Sequence, residues 1–439
     1  MINNLFWFRR DLRLNDNAGL YHALKSDFPV IPIFIFDTQI LDNLPCNDAR
    51  VEFIHNVLTD LDNQLQTLGA SLQVYYGNPL EVWSDIIKEY KISEVYTNHD
   101  FEPYAISRDG AVKDMLVTND IGFRTYKDHV IFEKDEITKA DGLAYSVFTP
   151  YKNKWLAKVE ESRNKNGFSY YFKSYPTGKY NDNFAKGKMR RIVSLEKMGF
   201  VKTSIKIPST DVAQGIIKKY EAQRNFPAID GTSRLGIHFR FGTVSIREKA
   251  RKAQDLSSVY LSELIWRDFY ATILYHNPKV VSESYRTKYD RIEWLNNEKD
   301  FEAWKNGMTG YPLVDAGIRE LNATGYMHNR VRMLVASFLT KHLLIDWRWG
   351  EAYFAEKLLD FDLASNNGGW QWASGSGTDA APYFRIFSPM AQLEKFDKQR
   401  KYVRTYIPEL GTDKYPKPIV DHKMARERCL ATYKKALNT

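Results

Sequence analysis

Five short runs of β-forming residues lie within the first 126 positions, at 4–9 (NLFWFR), 30–36 (VIPIFIF), 71–76 (SLQVYY), 94–98 (EVYTN) and 123–126 (FRTY). Helical spacing fills most of the gaps, over 18–25, 48–68 and 79–90. Within 51–66, Val51, Ile54, Val57, Leu58, Leu61 and Leu65 make one apolar helical stripe. Strands that alternate with helices imply βαβ units and a parallel sheet covered on both faces. The expected fold of residues 1–130 is therefore an α/β domain with a doubly wound parallel sheet. No GxGxxG follows the first run, so the usual dinucleotide-binding turn is absent and the main cofactor is expected elsewhere.

Beyond this region the pattern changes twice. Residues 131–204 are rich in Lys, Asn, Gly and Tyr and read as a long basic connection, of a length that tends to be functional or mobile. From 205 to 439 helical patterns dominate, at 257–275, 312–324, 328–345 and 350–360, with a last one at Ala431–Leu437. An all-α second domain is expected there. Charge divides in the same way. Residues 1–130 hold 11 Lys and Arg against 19 Asp and Glu, which leaves 51 against 35 for the remainder. Only the second part is suited to face a polyanion, although a solvated basic surface has the same composition.

The two cysteines, Cys46 and Cys429, stand far apart with no CxxC spacing. This argues against a disulfide framework or a metal site and fits a reducing cytoplasm. No apolar run approaches the roughly 18 residues that span a bilayer, so no membrane segment is expected.

The densest chemistry sits at 360–387, DFDLASNNGGWQWASGSGTDAAPYFRIF. Trp370 and Trp372 share a face on a strand but diverge on a helix. Gly368 and Gly369 would weaken a helix and let a group approach the backbone. The acids and amides before them suit the edge of a flat, hydrogen-bonding ring. By composition alone, a glycine-rich loop between helices with buried tryptophans fits equally well.

The segment does not stand alone. It resembles the flavin-binding signature of the photolyase and cryptochrome family. FWFRRDLRLNDN, GTSRL, SELIWRDFY and TGYPLVDAGIRELNATGYMHNRVRM match the same family in the same order. Among its branches the chain is most similar to the bacterial enzymes that reverse cyclobutane pyrimidine dimers. The resemblance implies FAD as cofactor, UV-damaged DNA as partner, a helical FAD-binding second domain, a monomer without an obligate protein partner, and no metal.

The resemblance also implies roles. Thr232, Ser233, Arg234 and Leu235 of GTSRL match the loop that holds the flavin diphosphate, and Tyr220 and Arg267 match further cofactor contacts. Gly236 departs from the small hydroxyl residue common in relatives. Arg332 and Asp360 match a pair set against the flavin ring, and Asp362 a residue near its edge and ribityl chain. Asn366 matches the residue facing flavin N5, where an amide favours repair over signalling. Glu263, Trp266, Asn329, Met333 and Trp372 match the lesion pocket. Arg224 and Arg330 join Glu263, Trp266, Asn329 and Trp372 in the set expected to face DNA. An asparagine at 329, with His328 the lone histidine nearby, favours dimer repair over repair of the 6–4 photoproduct. Trp370, Trp347 and Trp294 match the electron-transfer chain, while Trp304 and Trp349 are extra tryptophans.

For a second, antenna chromophore, Tyr104 and Ala105 stand where folate binders carry Asn-Glu. The stretch at 99–109 looks closer to deazaflavin users, with another flavin or an empty pocket as the alternatives. The other functions weighed are a cryptochrome-type photoreceptor and a non-catalytic nucleic-acid-binding protein.

Overall fold

The computed structural model describes residues 1–187 and 192–438. Residues 188–191, inside the stretch read as a connection, and Thr439 lie outside the described residues. The chain divides into two compact units. One holds residues 1–136, 155–210 and 235–254; the other holds 137–154, 211–234 and 255–439.

The first unit contains a fully parallel five-stranded sheet in the order β3-β2-β1-β4-β5. The strands are β1 (Ile2–Phe8), β2 (Val30–Asp37), β3 (Gln73–Gly77), β4 (Lys91–Asn98) and β5 (Gly122–Tyr126). Each run of β-formers in the sequence is a strand. β2 is buried along its whole length, as expected of a central strand with both faces covered. Asn17, Asp48 and Asn78 start the intervening helices by accepting from backbone amides of the first turn.

The stretch at 131–204 is more structured than its composition suggests. It carries a 19-residue helix, Phe148–Asn166. Trp155, Phe172 and Phe184 are buried, and Phe184 forms a β-bridge to Val30. These scattered aromatics anchor a segment whose exposed positions are filled by Lys and Asn. The division between the units therefore falls elsewhere than at residues 130 and 204.

The second unit is helical. Four of its helices line one cavity: α1 (Ser258–His276), α2 (Asn329–Ser337), α3 (Trp347–Lys357) and α4 (Leu363–Ser374). Ser257, His328, Asp346 and Asp362 cap them in that order. A π turn, Phe338–His342, follows α2. One core joins α2, α3 and α4 and contains Trp304, Trp347 and Trp370, with Trp294, Trp349 and Trp372 packed against it.

The tryptophan pair is helical, and so is the glycine pair before it. Glycine in a helix interior costs about 0.5–1 kcal/mol. At Gly368 that cost is offset by contact, because a Cβ there would lie 2.2 Å from the Tyr270 ring. Gly350 in α3 is tighter still, since a Cβ would come within 2.0 Å of the Trp370 indole. Gly350→Ala is therefore expected to destabilise the fold by about 1–3 kcal/mol through overpacking. Urea unfolding checks this, with a shift in tryptophan emission reporting displacement of Trp370.

Candidate active site

A cavity of about 460 Å³ opens within the second unit. Helical periodicity builds its walls. On α1, Glu263, Trp266, Arg267 and Tyr270 follow i, i+3, i+4, i+7 spacing and all line it. On α2, Asn329, Arg332, Met333 and Ala336 do the same, with Arg330 beside them. Asn366, Gly369, Trp370 and Trp372 of α4 supply a third wall, preceded by Asp360 and Asp362. Tyr220, Arg224 and Thr232 close the remaining side. The fold thus gathers most of the residues singled out in the sequence around one space. Ser233, Arg234 and Leu235 are not among its lining, nor are Trp347 and Trp294.

Arg332 and Asp360 face each other across the cavity wall. Arg332 Nη2 donates to both Asp360 oxygens at 2.9 and 3.1 Å, while its Nε donates to the Met327 carbonyl at 2.6 Å. Asp362 accepts from the Ser365 amide at 3.1 Å as the α4 cap. In the GTSRL loop, Thr232 Oγ1 and the Tyr326 hydroxyl are 3.2 Å apart, and the Tyr260 hydroxyl donates to Ser233 Oγ at 3.1 Å. Arg234 has a left-handed backbone (φ 50°) and stacks over the Tyr326 ring. Ser233 and Arg234 thus hold the loop in shape.

The other side of the cavity is aromatic and cationic. The Trp266 ring lies 3.7 Å from that of Phe148, nearly parallel to it. Glu263 accepts a hydrogen bond from the Arg224 guanidinium. Burial pushes the Glu263 carboxyl above its usual range, while Arg224 pulls it back. Arg330 is pushed down by burial and by the nearby charges of Arg224 and Arg385. It donates to Asn225 at 2.6 Å, but its Nε has no partner among the described residues. A cluster of guanidiniums with spare donors suits an anion.

His328 is not a pocket residue. It is buried, its Nδ1 accepts from the Arg330 amide at 3.2 Å, and burial holds its imidazole down at about 4. It is neutral at neutral pH and acts as the α2 cap.

Several participants were missed in the sequence. Phe148 lies in the stretch read as a connection, and nothing in that composition announces its stack on Trp266. Tyr270 falls at the i+7 position from Glu263 and was recoverable from helical spacing. Glu351 bonds Asn366 from another helix, which no local pattern reveals.

The donor set fits a flavin dinucleotide. Among the lining residues, Arg332, Asp360 and the Asn366 amide suit the edge of a ring, and the Thr232 hydroxyl and the Arg267 guanidinium suit a polar tail. Gly369 is a further sign, since a Cβ added to this cavity-lining residue would meet no atom within 4 Å. The space above that backbone is open to a ligand.

Comparison with known proteins agrees with this geometry. Residues 260–413 match the model for the FAD binding domain of DNA photolyase, and residues 4–166 the DNA photolyase model. A deoxyribodipyrimidine photo-lyase of Halobacterium salinarum is 36% identical over 98% of this chain and 99% of its own. A class III photolyase from Agrobacterium tumefaciens superposes with a TM-score of 0.84 at 32% identity, covering 100% of this chain and 98% of that one. An archaeal photolyase from Sulfolobus tokodaii, solved with two FAD molecules, gives 0.81 at 35% identity, with 99% and 100% covered. Both models match in order, and relatives this similar align over nearly their whole lengths, so likeness extends well beyond the cavity: the chain belongs to the DNA photolyase family.

Proposed function

We propose that the protein splits cyclobutane pyrimidine dimers in DNA in a light-driven reaction, with FAD held in the cavity of the second unit. The observation that carries this reading is the convergence of α1, α2 and α4 on one space, with a charged, amide-bearing wall and an aromatic, cationic one. When bound, FAD in its reduced, light-excited form supplies one electron, which returns after the two cyclobutane carbon–carbon bonds have opened. The chain supplies placement and polarity.

With FAD bound, Arg332 and Asp360 would hold the ring, Asp362 would lie toward its edge and Asn366 would face its N5 side. The GTSRL loop, through the Thr232 hydroxyl and backbone amides, holds the diphosphate together with Tyr220 and Arg267. Trp266, backed by Phe148, and Trp372 pack the extruded dimer and exclude water. Glu263, Asn329 and Met333 complete that pocket, with the Glu263 carboxyl on the dimer's hydrogen-bonding edge. Arg224 and Arg330 meet phosphate. Trp370, Trp347 and Trp294 carry electrons inward when the cofactor arrives oxidised.

Asn329 on the cavity wall, at the position where the 6–4 branch characteristically carries histidine, favours dimers over 6–4 photoproducts. Among the described residues no helix is long and apolar enough to cross a membrane. A monomer in a reducing cytoplasm is part of the proposal; Cys46 and Cys429 are both free, as such a compartment keeps thiols.

The test is repair of oligonucleotides carrying either lesion, in light and in darkness. Dimer repair only in light is expected; repair in darkness, or of 6–4 lesions alone, overturns the assignment. Denaturation should also release FAD. A colourless protein that cannot be reconstituted with FAD removes the basis of the mechanism, while release of a second chromophore would identify the antenna.

A further inference from the structure

Trp370 shares its core with two other buried tryptophans, Trp347 and Trp304. The Trp304 ring lies 6.2 Å from that of Trp370. Beyond it, the Phe301 ring stacks on Trp304 at 5.7 Å and meets Trp349 edge-on at 5.1 Å. Trp349 is half-buried, so this aromatic run reaches solvent.

The surroundings decide where positive charge settles once Trp370 has lost an electron. The Trp304 indole N–H donates to the Val335 carbonyl at 3.3 Å. An indole that loses an electron becomes a cationic donor, so this bond strengthens and the charge is stabilised. The Trp347 N–H has no partner among the described residues. The Arg348 guanidinium lies over the Trp347 ring at 4.7 Å and opposes a second positive charge there, with Asp290 and Asp346 offsetting part of it. On the other side, Lys305 lies over Phe301, which carries no charge, and is paired with Glu302. Charge is therefore well placed on Trp304. Tyr353 also meets Trp304, at 5.6 Å between rings. Its hydroxyl faces Asn322 Oδ1 at 2.6 Å and the Lys305 carbonyl at 3.1 Å. An oxidised tyrosine must lose its proton, and neither group is a base, so that side is closed.

We propose that Trp304 and Trp349 form a second electron route into Trp370, with Trp349 as its exit to solvent. This rests on the reading that FAD fills the cavity and takes its electron from Trp370. Trp370 gives one electron to the light-excited, oxidised cofactor. Trp304 refills Trp370, and Trp349 refills Trp304 across Phe301. The oxidised Trp349 loses its indole proton to water, then takes a hydrogen atom from an external thiol, which leaves as a thiyl radical.

The experiment illuminates the FAD-loaded full chain with blue light in air without thiol, and maps oxygenated tryptophans by peptide mass spectrometry. A surface tryptophan radical that no thiol repairs reacts with dissolved oxygen, so the products mark the exits. In the wild type, Trp349 and Trp294 should both be marked. Trp347→Phe should clear the mark from Trp294 and keep it on Trp349, and Trp304→Phe should do the reverse. A purely structural role for Trp304 would not sort the marks in this way. With thiol present, light-driven reduction of FAD should persist in each single variant and fall to background in the double variant.

An unmarked Trp349 in Trp347→Phe, or a mark on Trp349 that survives Trp304→Phe, overturns the proposal. If Trp304→Phe does not yield folded protein, Trp349→Phe in the Trp347→Phe background takes its place, and photoreduction that persists there overturns it equally. Both marks should vanish in Trp370→Phe. Their persistence, or failure of the wild type to bind FAD, would instead overturn the underlying reading.

Discussion

Trp370→Phe is expected to leave FAD bound and to reduce light-driven reduction of the oxidised cofactor to near background. Phenylalanine fills most of the space but is far harder to oxidise. Trp370 is buried against the Phe354 ring at 5.0 Å and the Trp304 ring at 6.2 Å. Its indole N–H has no partner among the described residues, so the substitution breaks no hydrogen bond seen there. Flavin absorbance under blue light with an external reductant is the measurement, and repair by chemically reduced enzyme should survive. Trp347 shares the core with Trp370, and Trp294 packs against it. Trp304 and Trp349 occupy the same neighbourhood, so Trp347→Phe and Trp304→Phe should be measured alongside to identify the route outward. Unchanged photoreduction in Trp370→Phe would exclude Trp370 as the first donor.

Glu263→Ala is the second large effect. The carboxyl lines the cavity within one helical turn of Trp266 and is bonded to Arg224. Losing a charge-assisted hydrogen bond to an extruded dimer costs roughly 1.5–3 kcal/mol, on the order of tenfold to a hundredfold in lesion affinity or repair yield. The same change frees Arg224, whose charge is then available to phosphate. Affinity for undamaged duplex should accordingly hold steady or rise and remain steeply salt-dependent. Repair yield per absorbed photon and binding to dimer-containing and undamaged duplex, wild type against variant, give the answer. Equal loss on both duplexes would move Glu263 out of the lesion pocket and into general DNA binding.

What could be read in advance follows from the range of the forces involved. The five strands are local: β-branched and aromatic runs of the right length become strands once helices separate them. The long helices of the second unit were equally legible, because a stripe with a period of 3.6 is contained within one segment. Gly368 and Gly369 were harder. Locally they argue against a helix, and their place in one depends on the Tyr270 ring and on open cavity space, both distant in sequence. The stretch at 131–204 misled through its average composition, since a few aromatics among many lysines decide how it packs. The site residues were legible mainly through resemblance, and their partners were not. Phe148 behind Trp266, Arg224 on Glu263 and Glu351 on Asn366 are all contacts between segments far apart in the chain.

One consequence follows from α4. A single helix of twelve residues carries Asn366, assigned to the cofactor edge, and Trp372, assigned to the lesion wall. Six helical steps separate them by about 9 Å along the axis, a spacing fixed by continuous backbone hydrogen bonds. Electron tunnelling decays exponentially with distance, so a donor site and an acceptor site mounted on separate loops would sample a wide spread of rates. Mounted on one rod they share a single ruler, and thermal motion shifts both ends together. Gly368, packed against Tyr270, and the tight seam that Trp370 makes with Gly350 of α3 hold that rod, and with it the spacing, in place.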